Sequence, residues 1–234
     1  MLNFYLKQTG LSQWPFNNRI NIINTPLIKA LLVFLFLFNN QIIYANNSES
    51  VRANPVTVKT WNQFVDNIYQ LHMSQLNSRN IKTTARSGSY HDLPYFFQQI
   101  KFYDQEKNLL ISKLEWETKN PDKLHSIEVY IHDKKDRLLR EYSASYLPKF
   151  RNAPYQTLIN LHHYNKNIHS FRQYDASDNL IYEVCRSTTT NKKLFEHDDY
   201  EIPDNFQQGV GKNKIYQRCF KSLPRSAKLH LVPH

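Results

Sequence analysis

The sequence predicts an α+β fold, with one N-terminal helix packed on a mainly antiparallel sheet built of repeated β-hairpins. Three observations lead there. Apolar residues recur at helical spacing from Trp61 to Leu76. A short pattern of aspartate, four polar residues and a Leu-Leu or Leu-Ile pair occurs three times after residue 100. Strand-like alternation then fills most of the chain that follows. The 234 residues are 41% hydrophobic and 14% aromatic, which is enough to build a packed core.

The first 45 residues stand apart. They carry Lys7, Arg19 and Lys29 and no acidic residue. Ala30 to Phe38 is an unbroken apolar run, followed by Asn39-Asn40-Gln41 and then Ile42 to Ala45. A cationic flank, a short apolar stretch and a small residue describe a secretory signal cleaved after Ala45. A spanning helix needs about 20 apolar residues, and the Asn-Asn-Gln break comes too early for that. The alternative is an envelope protein anchored by this segment left uncleaved. The stretch before Leu27 has no period of its own, so the true start is expected near Leu27. Residues 46–58 are polar and patternless and read as a flexible lead-in, leaving 59–234 as a single domain.

Within that domain, Thr60 and Gln63 have capping-box spacing ahead of Trp61, Phe64, Val65, Ile68, Leu71, His72 and Leu76. The stripe is expected to face a sheet. Residues 82–92 read as a loop turning at Gly88.

Next come the repeats. Tyr103-Asp104 precedes four polar residues and Leu109-Leu110. His132-Asp133 precedes Leu138-Leu139, and Tyr174-Asp175 precedes Leu180-Ile181. Residues before each aspartate alternate, as do those after it. Aspartate can bond its own backbone two residues on and so begin a turn. Asn108 and Asn179 tolerate the left-handed backbone that hairpin turns require. Arg137 occupies that place in the middle copy, which predicts a different turn there. Tyr155 to Tyr164 alternates as a strand, and Asn165-Lys166-Asn167 turns into another at Ile168–Tyr174.

Over residues 98–186 this pattern resembles the YD-type hairpin repeats of Rhs-like proteins and, more loosely, MORN repeats. The copies lack the glycine that those families place before the hydrophobic pair, and His132 replaces tyrosine in the second. The resemblance implies stacked antiparallel hairpins and no particular activity.

The tail is expected to hold a strand at Lys193–Glu196, an acidic turn at His197–Asp199 and a last strand at Lys214–Phe220. Cys185 and Cys219 are the only cysteines. In an oxidising compartment an even pair predicts one disulfide, here tying the last strand to the third hairpin.

Composition excludes several functions. Four glycines leave no Walker or Rossmann phosphate loop, and two cysteines leave no zinc ribbon. A net charge of +10 has no basic run within it, so nucleic acid is not an expected partner. No hydrolase, metalloprotease or lactamase motif is present. His162-His163 with His169 is the densest histidine group. Adjacent strand residues point to opposite faces, and zinc needs further ligands, so neither metal nor cofactor is expected. His91-Asp92 and His197-Asp198 place bases beside carboxylates, but such aspartates ordinarily make turns.

The sequence therefore points to a periplasmic or secreted, non-catalytic binding or assembly module. Its expected partner is an envelope protein or an anionic ligand. The candidate surface is a tyrosine face of Tyr103, Tyr130 and Tyr174. The alternative is a small hydrolase using His162, His163 or His169.

Overall fold

In a computed structural model, residues 54–90, 93–148, 151–198 and 213–233 are described. All lie in one compact unit spanning 45–234. The expected signal segment and its cleavage point lie outside the described residues.

Helix α1 spans Pro55–Asn77. Nine strands follow: β1 Ile81–Tyr90, β2 Leu93–Asp104, β3 Leu109–Glu117, β4 Asn120–His132, β5 Leu138–Ser145, β6 Gln156–Asn165, β7 Ile168–Tyr174, β8 Leu180–Ser187 and β9 Lys193–Asp198. They form one sheet in strict sequence order, each antiparallel to the next. The protein is thus α+β with a mainly antiparallel sheet. Helix α2, Lys214–Phe220, and a 3₁₀ turn, Lys228–His230, complete the described chain.

Helix α1 begins earlier than the Thr60 capping box predicts. Asn54 is its N-cap and accepts from the Val56 and Thr57 amides, with Pro55 at the first helical position. Thr60 instead returns its hydroxyl to the Val56 carbonyl. Residues 55–58, expected as lead-in, are therefore helical. Trp61, Phe64, Val65, Ile68, His72 and Gln75 are the buried positions. The four apolar ones join Leu114, Ile127, Val129, Tyr142, Ala144, Ile159 and Leu161 from β3 to β6 in one core. This defines the helix-bearing face of the sheet.

His72 is buried beside that core, 3% exposed, with Nδ1 2.9 Å from the Ser112 hydroxyl and its ring edge-on to Phe102. Burial lowers its pKa to about 4. Because the unfolded chain holds the proton more tightly, this stabilisation is complete above pH 6.5 and is lost as pH falls toward 4. A loss of about 3 kcal/mol by pH 4 is expected from His72. Urea midpoints across that range check it. His72→Gln should flatten the dependence, and an equally steep curve in that variant would refute the assignment.

Two segments depart from expectation. Residues 82–90 form β1 rather than a loop. A short polar run reads as a loop only when its edge pairing with β2 is out of view. Gly88, expected to turn that loop, lies opposite Phe97 in the β1–β2 ladder. A Cβ there would run into the Phe97 ring, so the missing side chain is what lets the ring lie over the strand. Residues 214–220 form a helix rather than a strand. Asn213 caps it by accepting from the Ile215 and Tyr216 amides. His197 and Asp198 continue β9 instead of turning.

The three aspartate copies are hairpins, at β2–β3, β4–β5 and β7–β8. In each, the aspartate carboxylate accepts backbone amides of its own turn. Asp104 takes Glu106 and Lys107, Asp133 takes Lys135 and Arg137, and Asp175 takes Ser177 and Asn179. The middle and last turns are alike, closed by the Asp133–Arg137 and Asp175–Asn179 backbone bonds, with Asp136 and Asp178 at positive φ. The first differs, with Asn108 in that conformation. The odd copy is thus the first, not the second, and Asp178 rather than Asn179 takes the left-handed place. Each hairpin also carries a register shift beside its aspartate, at Phe102/Tyr103, Ile131/His132 and Gln173/Tyr174.

Candidate functional site: the polar face of the sheet

Strand alternation sends the partners of the core residues to the opposite face. There the side chains are polar and joined from strand to strand. Arg86 Nε donates to Gln99 Oε1 at 2.7 Å, and Gln99 Nε2 to Glu115 Oε1 at 2.5 Å. Ser126 Oγ donates to the second Glu115 oxygen at 2.9 Å. The ladder thus crosses β1 to β4. Beside it, Lys113 pairs with Glu128, which also accepts the Tyr130 hydroxyl. Further along, Gln173 donates to Asn160 at 2.9 Å and Asn160 to Glu141 at 3.2 Å, linking β7, β6 and β5. Tyr182 donates to Glu196 at 2.5 Å across β8 and β9.

These groups are not ordinary surface residues. Gln99, Glu115, Ser126 and Asn160 are each under 10% exposed. Buried polar atoms must find partners, and here they find one another, which fixes their rotamers. Burial pushes the Glu141 carboxyl upward, against its bond from Asn160, and the nearby Glu128 charge adds to that rise. Burial likewise raises the Tyr130 hydroxyl, and its bond to Glu128 reinforces the shift. Tyr130 therefore stays a neutral donor.

The three sequence-selected tyrosines do not share a surface. Tyr130 belongs to the polar face and is half-buried. Tyr103 alternates away from Phe102, which packs on the core, and is also half-buried. Tyr174 lies on the helix-bearing face, 1% exposed, with its hydroxyl donated to the Pro224 carbonyl at 2.8 Å. The third hairpin has its aligned position on the other side of the sheet, which sequence alignment of the copies does not reveal.

The histidines come together in part. His162 Nδ1 lies 3.0 Å from His169 Nε2, their rings parallel to 3°. Phe171 and Tyr164 flank them. Burial, with His169 adding repulsion, lowers His162 to about 4. The two rings share one hydrogen bond, and the pair makes none to a carboxylate or hydroxyl among the described residues. No three His, Cys, Asp or Glu side chains converge among the described residues. Two shallow cavities are described, about 370 Å³ around Asn77, Arg79, Asp104 and Glu106, and about 240 Å³ around Leu124, Tyr146 and Arg151. Neither includes a histidine.

On the helix-bearing face lies a buried hub of which sequence reasoning found only the disulfide. Cys185 and Cys219 form a disulfide, joining β8 to helix α2. Arg172 and Glu183, both 2% exposed, are ion-paired at 2.7 Å. Arg172 also donates to the Leu223 and Pro224 carbonyls and the Tyr216 hydroxyl. Its guanidinium lies 4.9 Å over the Phe220 ring. Burial opposes its charge, but Glu183 outweighs this and holds it firmly protonated. No sequence signal marks this arginine, since the strand alternation that places it inward looks the same for a surface arginine.

No family model matches the chain, and no curated protein or solved structure matches it significantly.

Proposed function

We propose that the chain is an exported, non-catalytic binding or assembly module whose polar sheet face engages an envelope protein. The observation that carries this is the cross-strand ladder of Arg86, Gln99, Glu115 and Ser126, with Tyr130 and Glu128 beside it. Side chains already held in one geometry lose little freedom on binding, which is what a recognition surface needs. Carboxylates and cations are mixed on this face, so an envelope protein suits it better than a simple anion. The disulfide fits a periplasmic or secreted location reached by cleavage after Ala45. No helix among the described residues is long and apolar enough to cross a membrane.

The test is affinity capture of a cross-linked partner from envelope extract, using full-length protein and Tyr130→Ala. Recovery of one partner, reduced about tenfold in the variant, is the expected result. Equal recovery by both would refute the surface. The hydrolase reading predicts instead that replacing His162 or His169 abolishes a hydrolytic activity while folding is intact. The anchored reading predicts retention of the chain in the membrane fraction.

A further inference from the structure

Among the described residues, the first strand of the sheet has no partner on its outer side. β1 is bonded to β2 alone, and no hydrogen bond from another described residue reaches its outer edge. Lys82 to Ser87 are exposed without interruption, so helix α1 does not cover this end of the sheet. Natural edge strands are kept from pairing by shortness, proline, bulges or charged side chains, and of these β1 has only the charges of Lys82 and Arg86 and a bulge at its end. The strand spans ten residues without proline, and its one irregularity lies at the end, between Gly88 and Tyr90. The opposite edge is different. β9 has six residues, and its Glu196 is already held by Lys193 and Tyr182.

Along the middle of β1 the charges are cationic, and Asp104, opposite Ile81 at the strand's start, is ion-paired with Arg79. Lys82, Thr84 and Arg86 alternate onto the same face, and Thr84 lies opposite Lys101 of β2. No described carboxylate forms an ion pair with Lys82, Arg86 or Lys101. Arg86 is bonded to the neutral amide of Gln99. The other face of the strand carries Ile81 and then the small side chains of Thr83, Ala85 and Ser87.

We propose that the free edge of β1 is a strand-addition dock for an extended acidic peptide segment of a partner protein. Open amides and carbonyls supply the affinity of such a mode, and side chains at alternate positions supply its specificity. Acidic residues four apart in the incoming strand lie opposite Lys82 and Arg86 together. A second copy of this chain is disfavoured by the same charges. Two β1 edges paired antiparallel about Thr84 set Lys82 opposite Arg86 twice, and like charges directly opposite destabilise a sheet. The proposal shares Arg86 with the polar-face reading, but the two fail separately: Tyr130→Ala lies on β4 and leaves this edge intact, whereas Lys82→Glu leaves the bond from Arg86 to Gln99 in place.

A display library of random octapeptides, selected on the full-length protein, tests it. Enriched sequences should carry Asp or Glu at positions four apart. Binding of the best synthetic peptide, read by fluorescence anisotropy, should weaken about tenfold with Lys82→Glu/Arg86→Glu. Exchanging its acids for lysine should restore binding to that variant. N-methylation of one alternate set of peptide amides should abolish binding, while the other set is tolerated. Far-UV circular dichroism confirms the variant's fold, and Lys82→Glu alone, with a smaller loss, repeats the test should Gln99 be disturbed. No enrichment, enrichment without the acid spacing, or equal tolerance of both methylated sets would overturn the proposal. So would a dimer in sedimentation that Thr84→Pro dissolves, which would give the edge to a second copy.

Discussion

Arg172→Ala is expected to destabilise the fold by about 3–5 kcal/mol, seen as a fall in the denaturant midpoint. The size follows from what remains behind. Glu183 is 2% exposed and takes its charged bond from Arg172 Nε. Without the guanidinium, its charge is buried without its main partner. The Leu223 and Pro224 carbonyls lose their donor as well. Arg172→Lys keeps the charge but cannot reproduce a planar fork that meets four acceptors, so it should recover only part of the loss. Arg172→Met/Glu183→Leu should be less destabilised than Arg172→Met alone, because it removes the stranded carboxylate. A cost below about 1 kcal/mol for Arg172→Ala would show that the pair is not what holds this region.

The same arginine explains how the tail can be ordered with so little regular structure. Beyond helix α2 the described residues hold only a three-residue 3₁₀ turn as regular structure. The sheet supplies what the tail lacks. Ser170 donates to the Cys219 carbonyl at 2.6 Å, Tyr174 to Pro224, and Asp178 accepts from Ser226 at 2.7 Å and from the Ala227 amide. Three of these anchors, Ser170, Arg172 and Tyr174, are successive inward positions of β7. The strand thus presents a polar row to the tail where β3 to β6 present an apolar row to helix α1.

How much of this was legible depended on whether the cause was local. The aspartate turns were readable because a carboxylate two residues from the amides it binds is a local device. Their strands were readable through alternation, and with them the antiparallel sheet. The disulfide followed from there being only two cysteines. β1 was not readable, since Lys82-Thr83-Thr84-Ala85-Arg86 has no apolar face and is a strand only through its ladder with β2. Helix α2 was misread because seven residues hold too few turns to show a period, and its Asn213 cap looks like any loop asparagine. For the candidate site, Tyr130 was selected, but the amide and carboxylate ladder around it was not. Gln99, Glu115 and Asn160 sit at alternate strand positions, where a polar residue normally signifies solvent. Only the pairing register shows that they meet.

Removing the disulfide with Cys185→Ala/Cys219→Ala is expected to cost about 2–5 kcal/mol. The bond closes a sequence separation of 34 residues, so in the chain-entropy account it restricts the unfolded chain substantially. Both cysteines are also buried, at 0% and 1% exposure, so the alanines leave unfilled space against Phe220 and Ser170. The effect should be uneven across the molecule. Amides of Ala227 and Leu223, bonded to Asp178 and the Phe220 carbonyl, should exchange faster, while those in β4 and β5 change only with global stability. Arg172 and the disulfide grip the same short segment. Once one is gone the segment is partly released, and the second has less left to hold. The combined variant should therefore lose less than the two separate losses added together, a coupling that a double-mutant cycle measures directly. Strict additivity, with uniform exchange throughout, would mean that the bond acts only on the unfolded chain and that β7 alone keeps the tail in place.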